Sequence, residues 1–177
     1  MSRNLAQGIE GGPSRDAKTP VDAVIALGSN VGDRAATLRA ALEDLARLPL
    51  VVEVKASTAV VSIAVTPEGP DEEAPAYLNA VAILSTRLAP SVLLDYLHAI
   101  ENRHGRVRRE RWGDRTLDLD LIAYADVTSD DPDLELPHPR AAERDFVLEP
   151  WLAVDPDATL PGHGRVDALL ARLRGSE

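Results

Sequence analysis

The chain contains no cysteine, one methionine and one phenylalanine, and aromatic residues make up only 3% of its 177 residues. Without cysteine there can be no disulfide and no thiolate metal site, a usage that fits a reducing cytoplasm. No apolar run approaches the roughly 18 residues of a membrane helix. The first twenty residues lack the apolar central stretch of a signal peptide. The Gly-Lys-Ser/Thr ending of a P-loop is missing, as is the G-x-G-x-x-G dinucleotide fingerprint. So are serine-nucleophile signatures and any His-Cys or His-Glu spacing suited to zinc. Positive charge is in deficit too: 19 Lys and Arg against 29 Asp and Glu give a net charge of −10. That balance argues against a protein that coats nucleic acid.

What is there has ordinary globular composition, 45% hydrophobic and 27% charged, at a length that suits one domain. Residues 1–20, rich in Gly, Ser, Asn and charge, read as a mobile N-terminal extension, leaving 21–177 as a single domain. Val21 to Leu27 reads as a buried strand ended by Gly28-Ser-Asn. A helix capped by Asp33 is expected to run to about Leu48, with Leu38, Leu42 and Leu45 on one face and Pro49 as its stop. Leu50 to Val65 reads as one strand with a bend, Thr66 to Pro75 as an acidic, proline-punctuated loop, and Tyr77 to Leu88 as a further strand. Pro90 suits the first turn of a second helix, striped by Leu93, Leu97 and Ile100 and ended by Gly105. An arginine-rich loop and a strand from Thr116 to Ala123 come next. An acidic turn at Ser129 to Asp133, a Pro-His-Pro turn, a short helix and an amphipathic helix from about Val166 to Leu173 complete the chain. The fold class is therefore α+β: a ferredoxin-like β-α-β-β-α-β antiparallel sheet with helices packed on it and a C-terminal helical addition. That plan alone says nothing about function.

The scarce positive charge is concentrated. Residues 101–120 hold six arginines, Arg103, Arg106, Arg108, Arg109, Arg111 and Arg115, against five acids. A local basic cluster in an acidic chain points to a small anionic ligand rather than a long polyanion, and arginine forks suit phosphate oxygens. Directly after it, Asp118 and Asp120 sit two apart on a strand, so both carboxylates project to one face with Cα atoms roughly 6.5–7 Å apart. Such a pair can hold one Mg²⁺ or bracket two; the alternative is the polar outer face of a half-buried strand. Trp112 either stacks on a ring system or packs under its loop. Gly28-Ser-Asn-Val-Gly32 reads as a tight turn at a strand-to-helix junction. Tyr77 and Asn79 share one face of a strand; with Phe146 they offer stacking and amide hydrogen bonds to a flat heterocycle, or simply pack in the core. Among the histidines only His138, held between Pro137 and Pro139, invites a test.

Several blocks together carry a resemblance. They are Ala26-Leu-Gly-Ser-Asn-Val-Gly-Asp33, Tyr77-Leu-Asn79, Gly105-Arg-Val-Arg108, Arg111-Trp-Gly-Asp-Arg-Thr-Leu-Asp-Leu-Asp-Leu-Ile122, Leu136-Pro-His-Pro139 and Arg144-Asp-Phe-Val-Leu148. The chain resembles the 6-hydroxymethyl-7,8-dihydropterin pyrophosphokinases of folate biosynthesis from about Val21 to the C-terminal helix. The resemblance implies pyrophosphoryl transfer from ATP to the pterin hydroxymethyl, with AMP released. It implies that Asp118 and Asp120 hold two Mg²⁺ ions with ATP, and that Arg106 and Arg115 act on the phosphates as catalytic residues. Glu101, Arg108, Arg111, Trp112 and His138 are then expected on the ATP side, and Tyr77, Asn79 and Phe146 on the pterin side. A cytoplasmic monomer that binds these two small molecules, and neither nucleic acid nor membrane, is the expected form. The chain departs from the family at Asp114, where proline is usual, at Asp133, where a basic residue is sometimes seen, and in Val60 to Val65, which lacks a tyrosine and paired prolines. Rival readings are an RNA-recognition module on the same sheet plan, a catalytically silent relative favoured by Asp114, and a metal-dependent nucleotidyl or glycosyl transferase using the Asp-x-Asp pair.

Overall fold

The computed structural model describes residues 19–105 and 116–175. The expected extension, except Thr19 and Pro20, and the stretch from Arg106 to Arg115 lie outside the described residues. Strand β1 (Val21–Ser29) leads into helix α1 (Arg34–Ala46), followed by β2 (Val51–Ala56), β3 (Val60–Ser62), β4 (Ala64–Thr66), β5 (Gly69–Asp71) and β6 (Tyr77–Thr86). Helix α2 (Pro90–Arg103) precedes β7 (Asp118–Tyr124) and the short pair β8 (Ser129–Asp131) and β9 (Leu134–Leu136). After a 3-10 turn at Ala141–Glu143 come α3 (Asp145–Val154), β10 (Thr159–Leu160), β11 (Gly164–Arg165) and α4 (Val166–Gly175).

The main sheet runs β2-β6-β1-β7, every neighbouring pair antiparallel, with β3 paired to the near end of β6. Period-2 alternation gives this sheet two apolar faces. On one, Ile25, Leu27, Ala82, Leu84, Leu119 and Leu121 pack with Leu38, Ala41 and Leu45 of α1 and Leu93, Leu97 and Ile100 of α2. On the other, Val24, Val81, Ile122 and Ala123 pack with Val147, Leu148 and Trp151 of α3 and Val166, Leu169 and Leu170 of α4. The C-terminal addition thus closes the second face instead of merely extending the chain. Leu121 and Ala123 face opposite sides because β7 shifts register against β1 between Val24 and Ile25, leaving Ile122 as the extra residue.

Most expected elements form, with differences that have local causes. Asp33 caps α1 by accepting from the Ala36 N–H at 3.0 Å. Pro90 opens α2 at its first turn, and Gly105 leaves it at φ +81°. The single bent strand expected over Leu50 to Val65 is instead three strands. β2 pairs with Ala82–Thr86, β3 pairs with Tyr77–Asn79, and Ser57 bridges the break by exchanging hydrogen bonds with the Val81 backbone. β4 then leaves the main sheet for β5, so part of the expected acidic loop is a hairpin, turned at Gly69 with φ +122°. The acidic turn at Ser129 to Asp133 is likewise part of a hairpin, β8–β9. α1 ends at Ala46, three residues before Pro49, and Leu50 at φ 61° makes the turn into β2.

Candidate active site

One cavity of about 480 Å³ opens beside the upper half of the second sheet face, where α3 and α4 no longer cover it. It lies within the size range of small-molecule sites. Its floor follows from strand register. Asn79, Gly28 and Asp118 are Cα partners across β6, β1 and β7, and Ala26 is the partner of Asp120 one pleat further down. Alternation therefore turns the amide and both carboxylates to the same side. Ser62, Ile63 and Val65 also line it, as do His138, Arg140, Glu143, Arg144, Phe146 and Val147. Tyr77 and Phe146, two of the chain's few aromatics, face the same space.

The amide on this floor is tightly held. Asn79 is 6% exposed, and its Nδ2 donates to Ser62 Oγ at 2.7 Å. Gly28 makes room for it: a Cβ there would stand 3.3 Å from Asn79 Oδ1 and 3.5 Å from the Tyr77 ring. Gly28 lies inside β1 rather than in the tight turn expected from the sequence, and its value is the missing side chain on the floor. The turn falls at residues 30–33, with Gly32 at φ +67°. The N-terminal turn of α1 does not line the cavity; Arg34 Nη1 instead donates to the Ala76 carbonyl, tying the start of β6 to the helix. Gly28→Ala is expected to leave folding intact, because its φ is not in the left-handed region, while raising the ligand KM about three- to tenfold by crowding the amide. Urea melts and steady-state kinetics on one preparation check both halves.

The carboxylate pair has its own set of neighbours. Asp118 and Asp120 both line the cavity, and Arg144 Nη1 lies 3.5 Å from Asp120 Oδ2. The same guanidinium sits over Phe146, its Cζ 5.8 Å from the ring centroid. Burial lowers the Arg144 pKa, with Asp120 opposing, but an arginine stays charged in this range. His138 is pinned by its own N–H donating to Ile122 O at 2.8 Å, and its Nδ1 accepts from the Arg140 N–H at 3.2 Å. Burial pushes the imidazole below its ordinary pKa; Asp120 pulls the other way and Arg144 adds to the lowering. A neutral ring whose Nδ1 is an acceptor must carry its proton on Nε2, which makes it a donor at the cavity wall.

The structure thus brings together six of the residues singled out from sequence: Tyr77, Asn79, Asp118, Asp120, His138 and Phe146. Glu101 is 1% exposed in the last turn of α2 and is not among the lining residues. Arg106, Arg108, Arg111, Trp112 and Arg115 lie outside the described residues. Ser62, Arg140, Glu143 and Arg144 are additional wall residues. Of these, Arg144 had a visible signal, as the cation two positions before the chain's single phenylalanine. Ser62 had none, because its contact spans 17 residues in sequence.

Fold and cavity together define a small α+β domain whose cavity sets an amide and two aromatic rings beside a carboxylate pair. A family model described as 7,8-dihydro-6-hydroxymethylpterin-pyrophosphokinase (HPPK) matches residues 24–156. A 2-amino-4-hydroxy-6-hydroxymethyldihydropteridine pyrophosphokinase of Pseudomonas aeruginosa is 43% identical over 147 residues, covering 83% of this chain and 88% of that protein. Its namesakes in Haemophilus influenzae, 41% identical over 80% of this chain and 86% of theirs, and Mycobacterium leprae, 39% over 87% and 84%, are similar too. Among solved structures, an HPPK-DHPS in complex with substrates has TM-score 0.68 at 11% identity, over 89% of this chain and 44% of that one. The wild-type Plasmodium falciparum HPPK-DHPS with pteroate gives 0.65 at 12%, over 86% and 44%. The chain spans less than half of those solved chains, and at such identities they speak for the fold alone. The chain belongs to the 7,8-dihydro-6-hydroxymethylpterin-pyrophosphokinase family.

Proposed function

We infer that this chain transfers the pyrophosphoryl group of ATP to the hydroxymethyl oxygen of 6-hydroxymethyl-7,8-dihydropterin, a step of folate biosynthesis. The observation that carries the reading is the shared pleat row. Asn79 and Asp118 flank Gly28 on one sheet face, so a flat ring against the amide presents its substituent toward the carboxylates. The family plan, a ferredoxin-like sheet, is supported by the order β2-β6-β1-β7 with α1 and α2 on one face.

The donor set fits Mg²⁺. Among the described residues no third His, Asp or Glu completes a metal cluster with Asp118 and Asp120, and Mg²⁺ with a nucleotide takes one or two protein carboxylates, completing its octahedron with phosphate oxygens and water. When bound, the metal neutralises charge on the transferring phosphates. The protein's own part is positioning. Tyr77 and Phe146 hold the ring faces, and Asn79 reads the ring edge. Arg144, restrained by Asp120, adds a fixed cation on the anion side, and His138 Nε2–H offers a donor to a nucleotide oxygen. Arg106 and Arg115 are proposed to contact the phosphates, and Glu101, Arg108, Arg111 and Trp112 to serve the nucleotide side. The hydroxyl oxygen bonds to the β-phosphorus as the bond to the bridging oxygen of the α-phosphate breaks. AMP leaves with that oxygen, and the hydroxyl proton goes to solvent.

Purified protein with ATP, Mg²⁺ and the hydroxymethyldihydropterin is expected to give AMP and the pterin diphosphate in equal amounts. ADP as the nucleotide product would place attack at the γ-phosphorus and overturn the reaction assigned. A monomer working in the cytoplasm is the form proposed; no helix among the described residues is long and apolar enough to cross a membrane.

A further inference from the structure

We propose that Arg140 is a further nucleotide-binding residue, whose guanidinium leaves the Glu143 carboxylate for a phosphate of ATP. The inference rests on the pyrophosphokinase reading and deepens it. Two arginines line the cavity among the described residues, and they are held very differently. The Arg144 side chain is 22% exposed, faces Asp120 at 3.5 Å and lies over the Phe146 ring. The Arg140 side chain is 51% exposed, and its ion pair spans 3.9 Å from Nε to Oε2 of Glu143, itself 71% exposed. An ion pair that open to water contributes little and is easily exchanged. A phosphate offers the guanidinium fork several oxygens at once, a stronger charge-assisted contact than one distant carboxylate oxygen.

The backbone fixes where this cation starts. The Arg140 N–H donates to His138 Nδ1 at 3.2 Å, and its carbonyl accepts from the Glu143 N–H at 3.1 Å as the chain enters the 3-10 turn at Ala141–Glu143. His138, Arg140, Glu143 and Arg144 therefore belong to one short stretch, and all four line the cavity. Burial is the main cause that lowers the pKa values of His138 and Arg144, and the Arg140 charge adds to the lowering of both. Like charges gathered at one cavity favour an anion beside them. The pterin ring carries no negative charge, whereas ATP carries several, so the anion is a phosphate. Glu143 works in the opposite sense: it occupies the cation that the phosphate needs, and its removal leaves Arg140 free to bind.

The test measures Kd for ATP with Mg²⁺ and, separately, for 6-hydroxymethyl-7,8-dihydropterin by calorimetric titration at low and high salt. Wild type is compared with Arg140→Gln, Arg140→Lys, Glu143→Gln and the variant carrying both Arg140→Gln and Glu143→Gln. Both side chains stand more than half in solvent, so the variants are expected to fold, which melting curves check. Arg140→Gln is expected to raise the ATP Kd about tenfold and to flatten its salt dependence, with the pterin Kd within about twofold. Arg140→Lys keeps the charge without the fork and is expected to recover part of that loss. Glu143→Gln is expected to tighten ATP binding about two- to fivefold, a gain that is lost in the Arg140→Gln background because the freed cation is then missing. An unchanged ATP Kd in Arg140→Gln overturns the proposal, as does an equal fall in pterin affinity, which marks a merely structural residue. A Glu143→Gln gain that persists without Arg140 overturns it too. Wild-type protein that binds neither ligand overturns the functional reading and this inference with it. Wild-type binding of both ligands with an unaltered ATP Kd in Arg140→Gln removes the inference alone.

Discussion

Asp120→Asn and, separately, Asp118→Asn are expected to lower turnover by ~10³-fold or more while leaving the chain folded. The two carboxylates are the protein's proposed share of a metal-binding set, and a metal at a transferring phosphate contributes several kcal/mol of charge stabilisation. At about 1.4 kcal/mol per decade, that is three powers of ten or more. Asparagine keeps the shape and removes the charge, so packing is undisturbed. The folded state tolerates the change because both residues stand on the cavity side of β7, whereas Leu119 and Leu121 carry the strand's core contacts. Asp120→Asn also removes the partner of Arg144, but the Asp120 side chain is 43% exposed and the contact is 3.5 Å long. Its loss is expected to lower Tm by only about 2–4 °C. Rates at several Mg²⁺ concentrations, with melting curves on the same samples, check both statements. A variant with turnover near wild type would remove these carboxylates from the metal set.

Asn79→Ala is expected to weaken pterin binding about 10- to 100-fold and to leave ATP affinity within about twofold. The amide is buried, bonded to Ser62, and faces the cavity beside Tyr77. Its removal deletes the amide proposed to read the ring edge, a loss of about 1–3 kcal/mol. In the proposed arrangement ATP meets other residues of the cavity, His138 among them, so the two affinities separate. Calorimetric titration with each ligand measures this directly. An equal fall in both would mean that β6 has shifted, since its residues also carry core contacts on both faces. Unchanged pterin affinity would place the heterocycle elsewhere.

How much of this was legible beforehand depended on sequence distance. Asp118 and Asp120, and likewise Tyr77 and Asn79, are two apart, so strand periodicity alone put each pair on one face. Helices α1 and α2 were legible from their apolar stripes, from the Asp33 cap and from Pro90. The break of Leu50–Val65 into three strands was not, because β-branched residues mark extended backbone without saying which partner each stretch will pair with. Gly28 looked like a turn residue, since a glycine's conformational freedom is visible in sequence and the crowding over it is not. Glu101 entered through the family resemblance alone, and the fold buries it in the last turn of α2, outside the residues that line the cavity.

The sequence by itself determined the antiparallel α+β layout, the carboxylate pair, the amide beside an aromatic, and the family, because each is written in short-range spacing and local motifs. Only the tertiary structure decided that β6, β1 and β7 lie side by side, so that Asn79, Gly28 and Asp118 form one floor. It also decided that α3 and α4 cover only part of that face, that Arg144 meets Asp120, and that Ser62 holds Asn79. Those contacts join residues 17 or more positions apart, and their geometry exists only once strand register and helix packing bring distant segments together.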